Sequence, residues 1–94
     1  MSDVATLVNE GNELAKKKQW AEALEHYRAA AALAPADPEI WFLMGCCHFK
    51  MNHGPGAREA WEKALNMDPT YEKARIWIHQ VTGLTGQVPI TAKI

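Results

Sequence analysis

The sequence WAEALEHYRAAAALAP at residues 20–35 has a counterpart 34 residues later, GPGAREAWEKALNMDP at residues 54–69. Few residues are identical in the two stretches, but those that correspond are small residues, aromatics and a proline. These residue types determine how closely helices approach one another and where they end. A fixed period of this length indicates a repeat protein in which each copy is one supersecondary unit. The corresponding pairs, extended toward the N-terminus, are Leu7 with Trp41, Gly11 with Gly45, Ala23 with Ala57, Tyr27 with Trp61, Ala30 with Ala64 and Pro35 with Pro69.

The spacing of apolar residues predicts two helices in each copy and a fifth helix after the second. Apolar residues recur at helical spacing from Val4, with Ser2 or Asp3 available as the N-cap. In the second copy Asp37 can cap a helix that begins at Pro38, where the missing N–H of proline is harmless. The predicted helices cover approximately residues 4–18, 20–33, 38–52, 55–67 and 71–82, with Gly83 ending the last one.

This pattern resembles the tetratricopeptide repeat family. The resemblance covers residues 4–71 and implies an all-α, right-handed helical-repeat solenoid of two helix-turn-helix repeats plus a capping helix. The chain departs from the family at His48, where an aromatic or leucine is usual, and at Gly54, where the first copy has Trp20. The family positions are held by Leu7, Gly11, Leu14, Ala23, Tyr27, Ala30 and Pro35, then by Trp41, Gly45, His48, Ala57, Trp61, Ala64 and Pro69.

The predicted domain occupies residues 1–83. It consists of repeat 1 at residues 4–37, repeat 2 at 38–71 and the capping helix at 71–83. Residues 84–94 are expected to form an extended C-terminal tail, because Gly86 and Pro89 argue against a helix there. The tail carries spaced apolar residues that could cover the molecule's own groove or a neighbour's, and a frayed terminus is the alternative.

The resemblance implies a concave groove, lined by the first helix of each pair and by the capping helix, along which a partner segment lies. An apolar peptide is the expected ligand, since a contiguous apolar patch on a small protein marks an interaction site. The alternative is that the aromatic residues Phe42, Phe49 and Trp77 pack on one another or under the tail. The expected groove residues are Val8, Asn12, Lys16, Phe42, Leu43, Cys46, Phe49, Lys50, Lys73, Ile76 and Trp77.

Chaperone-binding members of this family clamp a C-terminal carboxylate with lysine, asparagine, asparagine, lysine and arginine at five groove positions. The corresponding residues here are Val8, Asn12, Leu43, Lys73 and Trp77. Only the second and fourth fit, and a carboxylate facing the three apolar residues would lose its hydration without compensation. The sequence therefore predicts a groove without this clamp.

The predicted function is a cytoplasmic protein–protein interaction module acting as an adaptor, co-chaperone or assembly scaffold. The alternative is a structural self-assembly module that forms a homo-oligomer through groove and tail. Self-association, or folding linked to a partner, is expected because two repeats and one helix supply little core, and about three repeats are usually needed for stability.

Other classes of function are not expected. The net charge is −1 and no basic block offers phosphate contacts, so nucleic acid is not an expected partner. No apolar run approaches the length that spans a bilayer. Cys46, Cys47 and His48 are consecutive on a helix and point about 100° apart, so they cannot converge on one metal ion. Adding His53 gives no zinc-motif spacing. No catalytic residues or cofactor are predicted, and the chain is not expected to be an enzyme.

Overall fold

The computed structural model describes residues 3–84, and this part of the chain folds into five α-helices without a β-strand. Each helix packs mainly against its neighbours in sequence, as expected for a repeat protein. The predicted helical-repeat solenoid is therefore confirmed. The helices are α1 (Val4–Lys16), α2 (Trp20–Leu33), α3 (Pro38–Lys50), α4 (Gly54–Met67) and α5 (Glu72–Leu84).

The N-cap of α1 is Asp3, one of the two residues that the sequence offers, and that of α3 is Asp37, as predicted. The carboxylate of Asp3 accepts a hydrogen bond from the backbone N–H of Thr6 at 2.8 Å. The carboxylate of Asp37 accepts one from the backbone N–H of Glu39 at 3.0 Å, and Pro38 begins the helix. Each cap satisfies a backbone donor that the helix itself leaves unpaired.

The turns inside the two repeats share one backbone conformation. Lys18 and Asn52, which are 34 residues apart, have φ of 63° and 62°, in the left-handed region. Asparagine is tolerated there better than most residues, whereas lysine is not. Because Asn52 leaves the helical conformation, α3 ends at Lys50 rather than at the predicted residue 52. At the C-terminus α5 continues through Gly83 to Leu84, so the predicted boundary at 83 is one residue early. The rest of the predicted tail lies outside the described residues.

Two hydrophobic clusters form the core. The first lies mainly between α1, α2 and α3 around Tyr27, which is 2% exposed. The second lies between α3, α4 and α5 around Trp61, which is completely buried. The clusters share no buried residue, and the half-buried Trp41 and Leu43 of α3 pack against both.

Glycines on α1 and α3 leave room for the rings of Tyr27 and Trp61. A methyl group added at Gly11 would lie 2.6 Å from Cε1 of Tyr27. A methyl at Gly45 would lie 2.8 Å from Cε2 of Trp61 and still closer to Nε1 and Cδ1. The prediction that these two glycines permit close approach of the paired helices is confirmed.

Candidate peptide-binding groove

The residues predicted to line the groove lie on α1, α3 and α5, and the structure gives them three degrees of exposure. Lys16, Lys50, Lys73 and Ile76 are exposed, whereas Phe42 is buried. Leu43 contacts both hydrophobic clusters, so it lies between the α1 end and the α5 end of this surface. The half-buried members of the set are Val8, Asn12, Leu43, Cys46, Phe49 and Trp77.

Four rings form what we call the aromatic floor: Phe42, Phe49, Trp61 and Trp77. The ring centroid of Trp61 lies 6.3 Å from that of Phe42, 6.1 Å from that of Phe49 and 6.0 Å from that of Trp77. Phe49 and Trp77 are 5.6 Å apart. The indole N–H of Trp61 donates to the backbone carbonyl of Phe42 at 3.0 Å, which holds the ring in this position. Only Phe49 and Trp77 keep partial access to solvent.

The burial of Phe42 differs from the sequence prediction. Its side chain is only 7% exposed, because Trp61 stacks on one side and Tyr71 lies edge-on at 5.6 Å. The prediction that Phe42 faces the groove is therefore wrong. The hypothesis that these aromatics pack on one another describes Phe42 fully and Phe49 and Trp77 in part.

Lysines surround the apolar surface. The ammonium of Lys73 lies 5.9 Å from the ring centroid of Phe42, and that of Lys50 lies 5.8 Å from the ring of Trp20. Both distances are within the range of a cation–π interaction. Within residues 3–84, neither lysine has a carboxylate oxygen within 4 Å, whereas Lys16 pairs with Glu13 at 3.3 Å. Lys50 and Lys73 therefore place positive charge at the edge of the apolar surface, where a partner's carboxylates could approach.

Two polar contacts hold the edges of this surface in place. Near α1, the hydroxyl of Tyr27 donates to the side-chain carbonyl of Asn12 at 2.5 Å. Near α5, the hydroxyl of Tyr71 donates to the carboxylate of Glu39 and ties the start of α5 to the start of α3. Burial raises the pKa of Tyr27 to about 12, so its hydroxyl remains a donor at any physiological pH. A hollow of about 500 Å³ beside Asn12 reaches Lys16 along α1.

The two cysteines are poor nucleophiles in this environment. Burial raises the pKa of Cys46 to about 11 and that of Cys47 to about 12. The thiolate is the reactive form, and at pH 8 a thiol of pKa about 11 is ionised on the order of one part in a thousand.

We therefore expect iodoacetamide at pH 8 to alkylate neither Cys46 nor Cys47 appreciably in the folded protein. Both should react within minutes in denaturant, because unfolding restores ordinary thiol acidity. Mass spectrometry of samples quenched over an hour measures the labelled fraction. Rapid modification of the native protein at Cys46 would contradict the half-buried environment that the structure gives this thiol.

A second concavity lies on the opposite side of α3, where sequence reasoning did not place a site. It is a cleft of about 440 Å³ between α2 and α4, with Trp41, Met44 and His48 of α3 along its floor. These positions are spaced by three and four residues and so share a helix face distinct from that of Leu43 and Cys46. The ammonium of Lys63 lies 4.6 Å from the ring centroid of Trp41. A sequence signal was present only at His48, which departs from the repeat pattern.

Comparison with known proteins identifies the repeat. One model of the TPR repeat matches residues 11–52, and a model of the tetratricopeptide repeat matches residues 38–71. The chain belongs to the tetratricopeptide repeat family. Its fold is that of solved tetratricopeptide domains. The Sgt2 domain from Aspergillus fumigatus superposes with a TM-score of 0.84 at 25% identity, over 88% of this chain and 55% of that one.

Two other proteins are similar to the chain. The Hsp70-Hsp90 organizing protein of Triticum aestivum is 32% identical over 63 residues, which are 67% of this chain and 11% of that protein. The chain thus spans about a tenth of the length of this curated relative. The second tetratricopeptide domain of Spaghetti, solved with the HSP90 peptide SRMEEVD, has a TM-score of 0.85 at 19% identity, over 90% of this chain and 79% of that one.

None of the five described helices is long and apolar enough to cross a membrane.

Proposed function

We propose that this tetratricopeptide domain is a protein-interaction module of the adaptor, co-chaperone or assembly-scaffold type. It binds an apolar peptide segment of a partner along the surface of α1, α3 and α5. The observation that supports this proposal most directly is the incomplete burial of apolar side chains on α1, α3 and α5: Val8, Leu43, Phe49 and Trp77 are half-buried and Ile76 is exposed. A soluble domain leaves such residues accessible in one area chiefly where a partner covers them.

The chemistry of the groove favours an apolar ligand over the acidic C-terminus of a chaperone. The relatives bear names of chaperone-organizing proteins, and the Spaghetti domain is solved with such a peptide. Three of the five carboxylate-clamp positions are apolar here, namely Val8, Leu43 and Trp77. A carboxylate buried against them would lack the hydrogen bonds that offset desolvation. Co-chaperone activity would therefore use a different segment of the client.

Ile76→Asp is expected to weaken peptide binding at least tenfold, because it places a carboxylate on the apolar surface without disturbing the core. Ile76 is 51% exposed, so the fold should be retained. Leu33→Asp is the matched control, since Leu33 is 58% exposed but lies on α2 away from the groove. Phe42→Ala is unsuitable as a test because the buried ring supports the aromatic floor.

The probe is a library of random 12-residue peptides displayed on phage, followed by fluorescence polarisation of the selected sequences. We expect selection of peptides with large apolar residues at spaced positions, and no affinity for SRMEEVD. Selection of acidic C-termini, or equal binding by Ile76→Asp and Leu33→Asp, would contradict the proposal. Light scattering of the free protein tests the homo-oligomer alternative: a dimer that dissociates in Ile76→Asp would assign this surface to self-assembly instead.

A further inference from the structure

The turn between α3 and α4 brings two imidazoles together. The Nδ1 atoms of His48 and His53 are 3.1 Å apart, and their rings lie with centroids 5.1 Å apart at 62°. The backbone holds this arrangement, since the N–H of His53 donates to the carbonyl of His48 at 2.8 Å and Asn52 adopts positive φ between them. The pairing therefore follows from the turn itself and requires no long-range contact.

Gly56 lies close to both imidazoles. A methyl group built on Gly56 would lie 2.5 Å from Nδ1 of His53 and 2.8 Å from Nδ1 of His48. Both nitrogens thus border one point, and His48 and Gly56 also line the cleft between α2 and α4. Any other residue at position 56 would put its Cβ at this point.

We propose that His48 and His53 form a bidentate site for a first-row divalent cation that favours imidazole ligands at nearly right angles, Ni²⁺ or Cu²⁺. With metal–nitrogen bonds of about 2.0–2.1 Å, the observed separation of 3.1 Å gives an N–metal–N angle of about 95–100°. That angle suits tetragonal coordination, the geometry preferred by these two ions. Water completes the coordination, because no group of three His, Cys, Asp or Glu side chains is arranged for a metal within residues 3–84.

The charges around the pair are of both signs, since Arg28, Glu59 and Lys63 all line the cleft. Burial is the main cause that lowers the pKa of His48, with contributions from His53 and Arg28, whereas Glu59 acts in the opposite direction. The guanidinium of Arg28 pairs with Glu25 at 3.1 Å, and Glu59 lines the same cleft. The sequence predicts no metal site, because consecutive helical residues cannot converge on one ion and the spacing to His53 matches no zinc motif. The pair depends instead on the turn, which brings His53 beside His48.

Isothermal titration of the purified, untagged chain with NiCl₂ at pH 7.5 tests the site. We expect saturable 1:1 binding that weakens at least tenfold in His53→Gln. Gly56→Ala should weaken it similarly, because the methyl displaces the two imidazoles from their present arrangement. His79→Gln, an exposed histidine on α5, should bind like the unaltered chain. Mg²⁺, which prefers oxygen ligands, should give no heat of binding. Circular dichroism of each variant verifies the fold.

Three results would contradict the proposed cation site. Absence of Ni²⁺ binding to the unaltered chain would reduce the pair to an N–H···N hydrogen bond. Full affinity in His53→Gln would place the ion elsewhere. Full affinity in folded Gly56→Ala would overturn the position in front of Gly56. None of these results bears on peptide binding by α1, α3 and α5, so this inference and the proposed function fail independently.

Discussion

Gly45→Ala should lower the unfolding free energy by about 3 kcal/mol or more, whereas Gly56→Ala should change it by less than about 1 kcal/mol. Both glycines are helical, and in both cases an added methyl would overlap a ring. At Gly45 the ring is that of Trp61, which is completely buried, hydrogen-bonded to Phe42 and enclosed by the aromatic floor, so it cannot move. At Gly56 the rings are two imidazoles at the surface, which can rotate away. Alanine also improves helix propensity there by roughly 0.5–1 kcal/mol.

Urea denaturation followed by circular dichroism measures this difference. A loss of about 3 kcal/mol corresponds to a midpoint shift of between about 1 and 3 M urea for a domain of this size. Since small domains have total stabilities near the lower end of about 5–15 kcal/mol, Gly45→Ala is expected to be partly unfolded at 37 °C. Closely similar urea midpoints for the two alanine variants would mean that the ring of Trp61 does not pack against Gly45.

Trp61→Ala should cost about 3–5 kcal/mol, the range for removal of a fully buried large aromatic side chain. The substitution leaves a cavity in the aromatic floor and takes the hydrogen-bond donor from the carbonyl of Phe42. Because repeat units are stabilised mainly by their neighbours, the loss should be greatest in α4 and α5. Hydrogen exchange measured by mass spectrometry should show faster exchange in Gly54–Met67 and Glu72–Leu84 than in Val4–Lys16.

Trp20→Ala is the control for Trp61→Ala. Trp20 is half-buried, and the second repeat has Gly54 at the corresponding position, so the fold tolerates a small residue there. We expect a cost of about 1–2 kcal/mol, without selective loss of protection in α4 and α5. Equal destabilisation by both substitutions would contradict the central position of Trp61 in the second cluster.

The repeat architecture could be predicted because its determinants are local or periodic. A cap such as Asp37 acts on the helix that directly follows it, and Gly45 matches Gly11 at the fixed period. The family resemblance then placed the groove on α1, α3 and α5 through helix-face spacing. Spacing gives the direction in which a side chain points, but not how much of it a neighbouring helix covers.

The burial of Phe42 could not be predicted from helix-face spacing. Tyr71, 29 residues further along the chain, lies edge-on against the ring of Phe42 before α5 begins, and no local pattern indicates that contact. The cleft between α2 and α4 depends likewise on a gap between helices that are not adjacent in sequence. The approach of His48 to His53 required the positive φ of Asn52, whose counterpart in the first repeat is a lysine that gave no signal.

The division of the core into two clusters has a mechanical consequence. The clusters share no buried residue and are linked by Trp41 and Leu43 of α3. A force along the chain would therefore pass through one cluster and then the other. Tension applied between the ends of the chain would load both clusters equally, and the weaker one would yield first while the other kept its shape. The helix α3 would transmit the load between the clusters, since it contributes buried residues to both.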